Sequence, residues 1–386
     1  MSLPDLSIDV SGHDAPAQPL PQHEWDLTDR ILAKSAIMDY GYVIKERAIF
    51  CTRKELIESV FQRTSEISHV WTPETPAPVR PEQVPFLIEA FRKIQAREAR
   101  NWITWSAGLL GVGLLLALVS EGWAVHKHNY LFVFGAFGLA AGNWKYWRSR
   151  TYMQEDAISD ASTARFETWI QKKGLNGYTI TTLACLIVVS IFQGMAPDSV
   201  ALIGIVKPAV WRGEVWRLFT GTLLHTGFNY LFINVLTLFY LSKLVEHAVQ
   251  RALVPLLFFV CAVVGSVFSV VLDPHTTSTG ASGGIMGLLG FIAIVAYLDR
   301  TKYPPEYFKR VITITLFFVA LELFAFDSID AAAHLGGLVA GSLLGWLTGR
   351  KKQTPMPGKL LQLGGIAGLF AVISTTVFAV YRLIAG

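Results

Sequence analysis

Eight stretches of this chain run for about twenty residues without a single charged side chain, and that feature fixes the environment in which it folds. They cover residues 101–120, 128–144, 174–197, 218–242, 252–272, 274–298, 331–349 and 360–381. A bilayer core of roughly 30 Å is crossed by about 20 residues of helix, because each residue rises about 1.5 Å. A ninth stretch, 311–326, is interrupted only by Glu322. The expectation is therefore an α-helical polytopic membrane protein with nine transmembrane helices.

Charge is distributed accordingly. Residues 1–101 carry 12 Lys+Arg and 15 Asp+Glu, the balance of an ordinary soluble domain, whereas residues 102–386 carry 21 and 14. The formal net charge of +4 is thus −3 on the head and +7 on the apolar body. A single soluble globule is excluded by this division. A nucleic-acid partner is excluded too, since so small a basic excess on so apolar a body makes no phosphate-binding face. Three cysteines are an odd number, and Cys185 and Cys261 sit within apolar runs, where free thiols behave as small hydrophobes and build no disulfide scaffold.

Orientation follows from the loops. With the amino terminus inside, 28 of the 33 Lys+Arg fall on the cytoplasmic side, and the other side keeps only Lys127, Lys207, Arg212, Arg217 and Arg382. Leaving out the long first segment, the division is still 16 against 5, so the amino terminus is expected in the cytoplasm. Residues 1–22 are polar and Pro-rich, without the apolar core of a signal peptide. Asp5, Asp9 and Asp14 argue against a transit sequence, so a bacterial inner membrane is the expected location.

Residues 1–101 read as a small soluble α/β or α+β domain. Residues 40–50 alternate like a strand, Thr52 and Glu55 form a capping box, and 81–100 read as a charged helix feeding the first span. Residues 71–85 are Pro-rich loop. Residues 102–147 then form a transmembrane hairpin, 148–177 a cytoplasmic linker, 178–348 a core of six helices, and 349–386 a cytoplasmic loop with one further transmembrane helix.

Polar groups at membrane depth are costly, so clusters of them mark candidate chemistry. Three occur. Gly280, Ser282, Gly283 and Gly287 open the sixth span, placing a hydroxyl beside the unpaired N–H groups of a helix start. His334 opens the eighth span, ahead of Gly337, Gly341 and Gly345 at four-residue spacing. The two small-residue faces would let these helices approach until imidazole meets hydroxyl, a nucleophile with its general base. Asp327 and Asp330 are expected to face water, leaving a dyad. The third cluster runs from Trp216 and Arg217 through His225 to Tyr230 and Asn234, the last two sharing one helix face, where the amide is a candidate oxyanion donor with the phenol beside it. Each cluster alone also has a packing explanation: small residues admit close helices, and His or Asn hydrogen-bond between them.

Taken together and in this order, the three clusters resemble the rhomboid intramembrane serine proteases, with 178–348 supplying the six-helix core. The resemblance implies Ser282 as nucleophile, His334 as general base, and Asn234, with the Ser282 N–H, as oxyanion hole. It also makes Trp216, Arg217, His225, Glu246, Gly280, Gly283, Gly287, Gly337 and Gly341 structural motif positions. Two residues depart from the family pattern: Tyr230 stands where a histidine is frequent, with its phenol able to donate instead, and Met286 where many relatives have tyrosine. The implied activity is hydrolysis of peptide bonds in or near transmembrane segments of other membrane proteins, within the bilayer and without metal or cofactor. The alternatives are an inactive relative that binds membrane proteins without cutting and, further off, a transporter, which would require inverted repeats that the sequence lacks.

Overall fold

The computed structural model describes residues 39–44, 47–75, 77–119, 130–225, 227–249, 251–299, 303–304, 306–325, 330–350 and 358–386. The expectations placed on residues 1–22, Lys127 and Asp327 lie outside these. The chain divides into two compact units, Met1–Arg165 and Phe166–Gly386.

In the first unit the segment read as one strand is a hairpin, β1 (Tyr40–Ile44) and β2 (Arg47–Cys51), paired antiparallel from Tyr40↔Cys51 to Ile44↔Arg47. A third strand, β3 (Ile67–Trp71), was not legible in the sequence and pairs on the other side of β1, giving the order β2-β1-β3. Gly41 permits this crowding, since a methyl group there would stand 2.6 Å from the Ile49 carbonyl oxygen. Helix α1 (Arg53–Arg63) begins at the expected box, with Thr52 N–H donating to Glu55 at 2.8 Å, and buries Leu56 and Val60 with Tyr42, Ile44, Ile67 and Val70.

Helix α2 (Ile88–Val119) runs unbroken from this domain into the first apolar stretch, and α3 (Tyr130–Arg150) follows it. The segment read as a linker carries another helix, α4 (Gln154–Lys172), whose polar sequence gives no apolar signal. Tyr152 and Ala157 nevertheless complete the core of the small domain. The Tyr152 hydroxyl donates to Asp160 at 2.7 Å, and Arg165 pairs with the buried Glu82 at 2.5 Å.

The second unit holds α5 (Gly177–Gln193), α6 (Ser199–Ile203), β4 (Ile205–Val206), α7 (Lys207–Trp211), α8 (Arg217–Thr220), α9 (Phe228–Ala248), α10 (Leu253–Leu272), β5 (Thr277–Ser278), α11 (Ser282–Leu298), α12 (Tyr307–Ala325), α13 (Ala331–Arg350) and α14 (Gly358–Ala385). Each of the nine apolar stretches thus contains a helix. Among the described residues four are long and apolar enough to cross a membrane by themselves: Tyr230–Ala248, Leu253–Leu272, Ala331–Gly349 and Leu361–Ala385. The 17-residue α11 is shorter, and 13 of its residues are buried, so it faces protein rather than lipid.

One expectation is corrected here. The fourth stretch does not form one helix from 218: α8 and a tight turn over Gly221–Leu223 come first, Gly227 breaks the chain at φ +125°, and α9 then extends to Ala248. The helix of the ninth stretch runs through Glu322, as a span there requires. The added carboxyl-terminal helix α14 packs on α5 and α10, while α12 packs mainly on α11. Gly368 seats that contact, since a methyl group on it would stand 2.5 Å from Leu256 Cα.

Candidate active site

Helices α11 and α13 meet along their glycines. A methyl group on Gly283 would stand 3.3 Å from the Ala333 carbonyl oxygen, and one on Gly290 2.6 Å from that of Leu338. Gly337 faces the Gly283 carbonyl and Gly341 that of Gly287, each too close for any side chain. The partners advance together along both helices, so the pair is parallel and both amino termini lie at one end. From α10, Gly265 closes the same point, a methyl group there falling 2.6 Å from the Ala333 oxygen and 3.5 Å from Gly283 Cα. Ser282 and His334 each adjoin a residue of this three-helix junction.

Ser282 is the first residue of α11 and half-buried; His334 is in the first turn of α13 and buried. Among the described residues no hydrogen bond joins the two. The cap position of α11 is Ala281, which offers its helix start no side-chain acceptor, so the first N–H groups of α11 remain available at the positive end of its dipole. The sharp entry is made by Gly280, at φ +123°, whose N–H donates to the Gly221 carbonyl at 2.9 Å.

Helix α13, by contrast, is capped. Asp330, expected to face water, turns inward: its carboxylate accepts from the Ala333 N–H at 2.9 Å and from the Ser269 hydroxyl. Ser269 in turn is 3.2 Å from the Ser278 hydroxyl. Asp330 therefore fixes the turn that carries His334.

Tyr230 and Asn234 lie in the first two turns of α9, which packs on α11, and both are half-buried. Below them Glu246 accepts from the Thr179 hydroxyl on α5 at 2.7 Å. Met286 is buried one turn beyond Ser282.

His225 lies in the loop before α9. Its N–H donates to Gln193 Oε1 at 3.0 Å while the Gln193 amide donates back to its carbonyl, and its Nδ1 is 3.2 Å from the Leu223 carbonyl. Burial pushes the ring pKa down to about 4, keeping it neutral. Gln193 has no sequence signal, being one amide at the end of an apolar run.

The Trp216–Arg217 motif is pinned on every side. Arg217 is buried, paired with Glu214 at 2.7 Å and donating to the Gly204 carbonyl at 3.0 Å. Trp216 packs edge-on against Phe378 of α14, with the Arg217 and Arg382 guanidinium groups 4.6 and 4.9 Å from its ring centre. Next to it, the buried Lys207 pairs with Asp273 at 3.1 Å and donates to Thr276 at 2.6 Å, tying the loop to the end of α10.

Comparison with known proteins adds an independent line. A rhomboid domain family model matches residues 212–351. YdcA of Bacillus subtilis (strain 168), a protein named for the rhomboid proteases, is 31% identical over 198 residues, which are 50% of this chain and 96% of YdcA. The chain belongs to the rhomboid family. Rhomboid protease GluP of the same organism is 32% identical over 150 residues, 39% of this chain and 29% of GluP. RHOMBOID-like protein 4 of Arabidopsis thaliana is 32% identical over 142 residues, 37% of this chain and 36% of that relative. With its apolar helices, this rhomboid protein is an integral membrane protein.

Proposed function

We propose that this rhomboid protein is a serine endopeptidase that hydrolyses peptide bonds in or near the transmembrane segments of other membrane proteins. The observation that carries the reading is the parallel glycine seam, which sets the uncapped start of α11, bearing Ser282, beside the capped start of α13, bearing His334. His334 takes the Ser282 proton as Oγ attacks the substrate carbonyl. The tetrahedral oxyanion is held by the Ser282 N–H, at the positive end of the α11 dipole, and by the Asn234 amide with the Tyr230 phenol beside it. His334 then protonates the leaving amine, and water hydrolyses the acyl-enzyme through the same base. The serine and histidine need no hydrogen bond at rest, because such contacts commonly tighten only with substrate in place.

In this reading the amino terminus is cytoplasmic, the membrane is a bacterial inner membrane, and the site opens toward the opposite face, the partition that 28 of 33 basic residues favour. The buried α14 contact leaves the α12 side as the route for a substrate helix. A fluorophosphonate probe and a single-pass test substrate, applied to the protein in native membranes, test the proposal. Ser282→Ala abolishes both labelling and cleavage, His334→Ala abolishes cleavage, and Asn234→Leu lowers kcat about 10²–10³-fold. Full cleavage by Ser282→Ala overturns the mechanism; an unlabelled, inactive wild type instead identifies a relative that binds without cutting.

A further inference from the structure

At the end of the core remote from Ser282, where α9 finishes and α5 starts, an open cleft with about 260 Å³ of empty space is lined by Lys173, Gly174, Lys243, Glu246, His247 and Arg251. Three permanent cations thus meet one carboxylate. Glu246 is already engaged by the Thr179 hydroxyl, at 2.7 Å. Lys243 is only 7% exposed, and its ammonium donates to the Gln171 carbonyl at 2.9 Å and lies 4.5 Å from the Phe239 ring centre. Among the described residues no carboxylate pairs with Lys243 or with Arg251. A buried ammonium without a counter-charge is costly, and a carbonyl with a ring face does not neutralise it.

We infer that this cleft binds the phosphate group of an anionic phospholipid headgroup at the membrane surface opposite the candidate active site. Basic clefts between transmembrane helices at the cytoplasmic surface are suited to such headgroups. The flank of the cleft is built to stay in place: His247 stacks edge-on with Phe166, Trp169 and Tyr303, whose ring centres lie 5.1–5.7 Å away. The headgroup phosphate supplies Lys243 with its missing counter-charge and joins the α4–α5 connection to the end of α9 through Lys173, Lys243 and Arg251.

The test uses the full chain carrying Ser282→Ala, so that its result is independent of whether the protein is a protease. Thermal unfolding in detergent micelles is followed while phosphatidylglycerol, phosphatidylcholine of the same acyl chains, or inorganic phosphate is added. Phosphatidylglycerol is expected to raise Tm, and phosphatidylcholine to leave it unchanged. Inorganic phosphate alone giving the full shift would assign the cleft to a free anion and overturn the lipid assignment. Arg251→Gln, at an exposed position that leaves the fold intact, weakens phosphatidylglycerol binding about five-fold, the effect of one basic residue near a membrane surface. Lys243→Met removes the buried charge and the remaining response. Equal stabilisation by both lipids, or an unchanged phosphatidylglycerol response in both variants, refutes the inference.

Discussion

Among the helix pairs packed through glycine in this protein, α2–α3 and α11–α13 are built differently. In the α2–α3 hairpin, Gly135, Gly138 and Gly142 receive Leu110, Ser106 and Ile103 in reverse order, so the pair is antiparallel, while Gly108 and Gly111 on α2 face open space. In the α11–α13 pair both helices contribute glycines and backbone meets backbone. An antiparallel pair sets a positive dipole end beside a negative one and cancels the field. A parallel pair sets two positive ends side by side, which disfavours packing and favours developing negative charge. The chain accepts that arrangement where Ser282 and His334 stand, neutralises one end with Asp330, and leaves the other uncapped.

The contrast can be broken experimentally, beginning where the effect is largest. Gly341→Val drives a side chain into the Gly287 carbonyl, where no rotamer relieves the clash. It is expected to cost about 3 kcal/mol and to lower cleavage at least about 100-fold by displacing the imidazole, read by thermal unfolding and substrate turnover. Cleavage near the wild-type rate would show that the seam does not position the site. Asp330→Ala removes the cap of α13, costing about 1 kcal/mol and about 2–4 °C in Tm.

Acid acts on the same end of the core through Asp273. The Thr276 hydroxyl, and then Lys207, hold its carboxyl below the usual carboxylate range. A pKa depressed by folding contributes stability that is complete above the unfolded value and is lost as pH falls through the folded one. Unfolding is therefore expected to become easier below about pH 4, with Asp273→Asn flattening that limb of the pH profile. The smallest effect belongs to the other pair. At Gly138 a methyl group meets the Ser106 side chain, crowding its hydroxyl and standing 3.0 Å from its Cβ, with no backbone atom of α2 nearer than 4.0 Å. Alanine favours the helix and offsets part of that crowding, so Gly138→Ala should cost no more than about 1 kcal/mol and leave cleavage unchanged.

What the sequence disclosed follows the physics of each signal. Nine apolar stretches are visible because lipid admits few charges, and the glycine spacing of α11 and α13 is visible because close backbones admit little else. The start of α9 was misread by ten residues, since an apolar run does not reveal that Gly221 and Gly227 turn the chain within it. β3 and α4 went unseen because their signals are short or polar, and they are held by partners distant in sequence, such as Gly41 for β3 and Glu82 for α4. At the candidate site, Ser282, His334 and Asn234 stood out against an apolar background. Asp330 did not, because a lone aspartate in a loop looks like any solvated one until its cap and its serine partner are seen.

The docking of α14 also orders events in time. Trp216 emerges from the ribosome long before Phe378 and Arg382, the residues that cover it. Until the later helix enters the bilayer, the loop that braces the core has one wall missing. Maturation of the core therefore waits for a helix that follows it in the chain, and a ribosome stalled before residue 360 holds a membrane-inserted but unfinished molecule.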